Sequence, residues 1–151
     1  MIVKKFYGTS TRDALRQVRD ALGPDALILS NRQIAGGGVE IMAVSDADVA
    51  TLTLRNPTTD AQEVLVFSAV VHDVEGRSRA MEVLSDLNTE ARFVRFMLIK
   101  DRVFVSLSIF AQPFVPAHLQ QALRTVSVVA DEIDEHLASK LRGRTTFASE
   151  S

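Results

Sequence analysis

The stretch that decides the fold is Phe93–Phe110, FVRFMLIKDRVFVSLSIF, read with the segment Pro116–Leu141, PAHLQQALRTVSVVADEIDEHLASKL. The first segment alternates around a polar Lys100–Asp101 pair, as a β-hairpin does. Side chains alternate faces along a strand, so Val103, Val105, Leu107 and Ile109 fall on one side of the second strand. The other side carries Phe104 and Phe110, with Ser106 and Ser108 between them. Pro116 stands where a first helical residue should, because its missing N–H leaves nothing unsatisfied there. From it Leu119, Ala122, Leu123, Val126, Val129, Ala130, Ile133, Leu137 and Leu141 repeat at helical spacing, and Gly143 reads as the stop. About 26 residues of helix reach roughly 39 Å, enough to cross the sheet of a small domain.

A hairpin that is apolar on both sides must be covered on both sides. The long helix covers one. The other, to which this reading assigns Phe96 from across the turn together with Phe104 and Phe110, needs shorter helices, a client segment or a second copy of the chain. Isologous dimers are the commonest homo-oligomers, so a homodimer is expected.

Working outward, Ser10 and Thr9 can cap a helix that ends at Gly23–Pro24, with Ala14, Leu15, Val18 and Leu22 as its apolar side. Its opposite side carries Arg12, Arg16 and Arg19. These form either a solvated face, with Arg16 paired to Asp20, or a protein-docking patch. No aromatic residue interleaves them, so nucleic acid is not an expected partner. Ala26–Gln33 and Val39–Val44 read as strands joined by Gly36–Gly37–Gly38, a turn rather than a phosphate cradle, because a strand and not a helix follows. Thr51–Leu54 reads as an extra strand, outside the expected element order, or as an irregular connection. Asn56–Asp60 is a strong turn, either a hairpin loop or a seam. Glu63–Val71, EVLVFSAVV, reads as a central strand buried on both faces. Ser78 is placed to cap a short helix running to Ala91.

The chain has 151 residues, 46% of them hydrophobic, and a formal net charge of −2, which gives no mandate for nucleic-acid or membrane binding. One domain over residues 1–143 is expected, with a polar tail at 144–151. The absence of cysteine excludes disulfides, thiolate metal sites and thiol nucleophiles, and fits a reducing compartment. No apolar run has membrane-spanning length and MIVKKFYGTS lacks a signal-peptide core, so a cytoplasmic protein without membrane insertion is expected.

Chemistry-bearing patterns are absent. There is no Gly-x-Ser-x-Gly elbow, no His-Glu-x-x-His helix and no P-loop. His118 and His136 lie about 27 Å apart along one helix and cannot share a metal. His72, Asp73 and Glu75 are a conceivable ligand set, but the polar end of a strand accounts for them. The reading assigns no catalytic residue, no cofactor and no metal, and expects no enzyme.

Two family resemblances lie on different parts of the chain. VKKFYG, TRDALRQVRDALGPDALILSNR and GGGVEIMAV, within residues 1–50, resemble the N-terminal segment of FlhF, a flagellar GTPase of signal-recognition-particle type. The GTPase domain is missing from these residues, so the resemblance implies an adaptor or a fragment. It implies contact with an FlhG-type ATPase through Lys4, Lys5, Phe6, Arg12, Arg16 and Arg19. Residues 60–148, carried by EVLVFSAVV, LSDLN, the hairpin and KLRGRTTF, are similar to the YbjN family, with the fold of type III secretion chaperones. That implies a non-enzymatic module, often dimeric, that binds other proteins. Such a composite arises by natural fusion or by construction, and a constructed chimera would have no native partner. The expected architecture is α+β, in the order α-β-β-β-α-β-β-α. A single antiparallel or mixed sheet would carry the helices on one face, with the FlhF-like segment supplying its first helix and strands.

Overall fold

The structure, a computed structural model, describes residues 3–141 and 144–145. The expected stop at Gly143 and the tail beyond Thr145 lie outside the described residues. The elements in chain order are β1 (Lys4–Gly8), α1 (Thr11–Leu22), β2 (Leu27–Gln33), β3 (Val39–Val44), β4 (Ala50–Arg55) and β5 (Gln62–His72). There follow α2 (Arg77–Glu90), β6 (Arg95–Ile99), β7 (Arg102–Phe110), α3 (Pro116–Leu141) and β8 (Arg144–Thr145).

The class is α+β and the pairing is antiparallel throughout, but the strands form two sheets rather than one continuous sheet. A small sheet has the order β1-β3-β2, and a large one the order β4-β5-β7-β6 with β8 paired to the end of β5. The Thr51–Leu54 run is therefore a strand, the edge of the large sheet, and not a connection. Asn56–Asp60 is the hairpin loop between β4 and β5, held by Asn56 Oδ1 accepting from the main-chain N–H groups of Thr58 and Thr59. Part of the expected tail is likewise structured, since Arg144 and Thr145 pair with His72 and Val71.

The element ends follow from local chemistry. Ser10 caps α1, its Oγ accepting from Asp13 N–H at 3.2 Å, and Gly23 closes the helix with φ 92°. The start of α2 differs from expectation. Ser78 lies inside the helix, and Gly76, in a left-handed conformation, occupies the cap without a side-chain bond. Lys100 turns the β6–β7 hairpin with φ 58°.

Packing places α3 between the sheets. Val126, Ala130, Leu137 and Leu141 are fully buried or nearly so, in one cluster with Val66, Val71, Val103, Val105 and Phe96 of the large sheet. The same cluster takes in Leu29 and Val44 of the small sheet, with Leu27 and Met42 packed against it. The layers are thus the large sheet, then α3 with α2 beside it, then the small sheet, then α1. This explains why β3 is buried on both faces, with Ile41 and Ala43 toward α1 and Val44 toward α3. β5, the strand read as doubly buried, alternates instead between buried Val66, Ser68 and Val70 and half-buried Leu65, Phe67 and Ala69. Val3 N–H donates to Asp131 Oδ2 of α3 at 3.0 Å, tying the entry of the small sheet to the helix. Nearby, burial and the Asp131 charge hold the Asp48 carboxyl above the usual carboxylate range.

The small sheet meets α1 at Gly8, where an added Cβ would stand 2.6 Å from Ala14 N and 3.1 Å from its Cα. Both are backbone atoms that cannot swing aside. Gly8→Ala is therefore expected to cost about 1–3 kcal/mol, the usual range for overpacking. Chemical denaturation checks this, and an unchanged midpoint would mean that α1 does not sit tightly on β1.

Candidate functional site

The register of the large sheet sorts its side chains into two faces. Directly opposed residues share a face, so Val103 and Val105 stand with Leu98 and Phe96 on the face covered by α3. Phe96 is 4% exposed there and belongs to the core, not to the opposite face where the sequence reading put it. Its main chain is fixed as well. Asn88 Oδ1 accepts from Phe96 N–H at 2.7 Å, and Asn88 Nδ2 donates to Phe96 O at 3.0 Å.

The opposite, outer face is built by Phe104, Ser106, Ser108 and Phe110 of β7 and by Glu63, Leu65, Phe67 and Ala69 of β5. Arg95, Met97 and Ile99 of β6 and Ala50, Leu52 and Leu54 of β4 extend it. Among the described residues no helix packs on it: α1 touches β1 and β3, α2 touches β6 and α3 with Ala80 and Leu84 in the core, and α3 lies on the other side. The expected second cover by shorter helices is thus not provided within the described residues. The Phe67 and Phe104 rings meet edge to face, with centroids 6.3 Å apart, and both remain half-buried. Phe110 is 77% exposed and Leu52 48%, and Ile99 on the same face is also exposed.

Phe93 is the residue that sequence reasoning passed over. It precedes β6 with φ 68°, is 89% exposed, and helps line a shallow groove of about 450 Å³ with Asn56, Glu63, Arg95, Ser106 and Ser108. A bulky aromatic residue in the left-handed region, held out in water, is disfavoured on two counts. The outer face therefore joins an apolar floor of Leu65, Phe67, Met97 and Phe104 to a polar groove with one acidic and one basic side chain. Such a surface suits a chain segment carrying apolar side chains on a hydrogen-bonding backbone.

Arg12, Arg16 and Arg19 lie together on the exposed side of α1, with half-exposed Leu15 between them. A shallow depression of about 750 Å³ runs along this side. Arg16 pairs with Asp13 at 2.8 Å rather than with Asp20. That bond, with a second from Thr9 N–H, holds the Asp13 carboxyl below the usual range. On the small sheet, Glu40 is buried beneath Arg32, whose Nε lies 2.9 Å away, and this bond keeps its carboxyl low while Glu40 raises the Tyr7 phenol. His72 Nε2 stands 3.8 Å from Asp73 Oδ2 at the end of β5, and no three histidine or carboxylate groups converge among the described residues.

Residues 42–149 match the family described as T3SS (YopN, CesT) and YbjN peptide-binding chaperone 1, TY-Chap1. The chain belongs to the TY-Chap1 family. The match begins in β3 and takes in the whole large sheet, both longer helices and the edge strand β4, so the family portion starts earlier than the resemblance at residue 60 suggested. TY-Chap1 membership supports a protein-binding role. Over 46 residues, 30% of this chain, the sequence is also 52% identical to "Flagellar biosynthesis protein FlhF" of Pseudomonas aeruginosa, of which the match covers 10%. Among the described residues no helix is long and apolar enough to cross a membrane.

Phe93 gives a test that separates folding from use of this face. Phe93→Gly removes an unfavourable backbone conformation and almost no packing, so stability should rise by up to about 1 kcal/mol. Thermal unfolding measures this. A clear loss of stability would show that the ring is packed in solution.

Proposed function

We propose that this TY-Chap1 chain is a cytoplasmic, non-enzymatic protein-binding module that holds an apolar client segment on the outer face of its large sheet and works as a homodimer. One observation carries the reading: a sheet face with Leu65, Phe67, Phe104 and Phe110 has no cover of its own among the described residues. Monomeric proteins rarely leave a contiguous apolar face of this kind in water. Phe104 and its edge-to-face partner Phe67 are the aromatic anchors, because a few well-packed aromatic groups carry most of the energy of such contacts. Arg95 and Glu63 bind the client backbone or its charged side chains at the groove. We take residues 1–143 to act as one domain, since α3 shares one core with both sheets.

An unfolded, reduced and carboxymethylated reporter polypeptide serves as the client probe. Phe104→Asp and Leu65→Asp should each weaken its binding about tenfold or more, while Met81→Asp, on exposed α2, should leave it unchanged. Fluorescence anisotropy reads the affinities, and circular dichroism confirms the fold. Equal binding by all four proteins would sink the proposal.

A second reading rests on a different surface. The aligned Arg12, Arg16 and Arg19 around Leu15, with the local identity to FlhF, favour an adaptor that docks α1 on an FlhG-type ATPase. An exposed apolar residue ringed by guanidinium groups is a common form of docking site. Arg12→Glu with Arg16→Glu should abolish stimulation of such an ATPase by the parent chain. A parent chain with no effect on turnover would remove this reading.

A further inference from the structure

We propose that two copies of the chain join edge to edge along β4, making one continuous sheet whose two outer faces form a single client surface. The inference deepens the reading above by naming how the dimer forms. The argument starts from the hydrogen-bond phase of the β4–β5 hairpin. Asn56 N–H donates to Ala61 O at 2.8 Å, so these two form a bonded pair. Bonded and non-bonded pairs alternate along an antiparallel ladder. The bonded pairs are therefore Leu54–Glu63, Leu52–Leu65 and Ala50–Phe67. The other side of β5 agrees, because Ala111 N–H donates to Gln62 O, which places Gln62, Val64 and Val66 toward β7. The main-chain N–H and C=O groups of Thr51, Thr53 and Arg55 consequently point off the sheet. Among the described residues none of them meets a hydrogen-bond partner.

Folded proteins guard such edges with charge, proline, a bulge or a cover. The other edges here carry those guards. The Asn88 side chain pairs with the Phe96 main chain on β6. β2 has a register shift between Ile28 and Ser30, followed by exposed Asn31 and Arg32. β1 is short and carries Lys4 and Lys5. β4, Ala-Thr-Leu-Thr-Leu-Arg, has no proline, no register shift and one charge at its end, already paired with Asp60 at 3.4 Å.

The strand complements itself, which selects a second copy over another protein. An antiparallel pair with its two-fold axis at Thr53 sets Thr53 against Thr53 of the other copy, and Thr51 against Arg55. All three outward residues become bonded pairs, giving about six main-chain hydrogen bonds. No like charges meet. In the closer, non-bonded positions Leu52 faces Leu54 of the other copy on the outer face, which covers the half-exposed Leu52. Any other axis leaves one of the outward residues unused. A single strand pair buries less than a standard interface, so the dimer should dissociate on dilution.

Sedimentation over about 1–100 µM tests this, a range that brackets micromolar affinity. The parent should shift from monomer to dimer. Thr53→Pro removes one outward N–H without touching the β4–β5 ladder and should be monomeric throughout. Thr53→Lys, which sets two ammonium groups against each other at the axis, should be monomeric too and serves if the proline variant misfolds. Thr53→Cys in this cysteine-free chain should cross-link to itself through a short bis-maleimide. Phe104→Asp should dimerise as the parent does, which keeps this test separate from that of client binding. A parent that stays monomeric overturns the proposal. So does a dimer that survives both Thr53→Pro and Thr53→Lys, or one lost only in Phe104→Asp, which would mean that the copies meet face to face.

Discussion

The structure depends on one helix being apolar enough to serve two sheets. α3 is 26 residues long and presents fully buried Val126, Ala130 and Leu137 to a core shared by the large sheet and by Leu29 and Val44 of the small one. Helices and sheets bury one face each as a rule. A helix with a sheet on either side needs a broad apolar stripe, and buried Ala122 and Ala130 belong to it. The polar groups this arrangement takes out of water have partners. Ser127 Oγ donates to Leu123 O at 2.6 Å within the helix, and Ser68 Oγ donates to Asp48 O at 2.7 Å.

Committing α3 in this way decides what the rest of the chain can do. With α3 and α2 both on the inner face, the described chain has no helix left for the outer face of the large sheet. That face is kept in water with Phe110 and Phe93 extended from it and Phe93 in an unfavourable backbone conformation. Strain and exposure borne together at one place are usual where a surface is used for binding. We propose this face as the place where the peptide-binding role described for the TY-Chap1 family is carried out, with the β4 edge as its boundary.

Much of this was legible in the residues. The Lys100–Asp101 turn, the alternation of β7 and the periodic stripe of α3 are strong local signals, and each element lies where its period put it. Capping of α1 by Ser10 was equally readable, because it depends only on neighbours in the sequence. The misplacements are of another kind. Phe96 went to the wrong face because the face of a paired residue depends on register, and register is set by the turn and not by the residue itself. β4 stayed open between an extra strand and a connection because two leucines and two threonines at an edge carry little hydrophobic signal, and an edge strand is identified by its partner. The separation into two sheets was hidden for the same reason: strand order is a long-range property. At the candidate site, Phe104 and Phe110 were visible from their alternation, whereas Leu65 and Phe67 were obscured by a run that looked uniformly buried.

Methyl resonances offer the most direct test of the binding role proposed for the outer face. With leucine, isoleucine and methionine methyl groups labelled, an unfolded client polypeptide titrated into the protein should shift and broaden Leu52, Leu65, Met97 and Ile99. Leu137 and Leu141 in the core of α3 should be left in place. Perturbation confined to Leu15 on α1, or spread evenly over core and surface, would contradict the assignment of the outer sheet face as the binding surface.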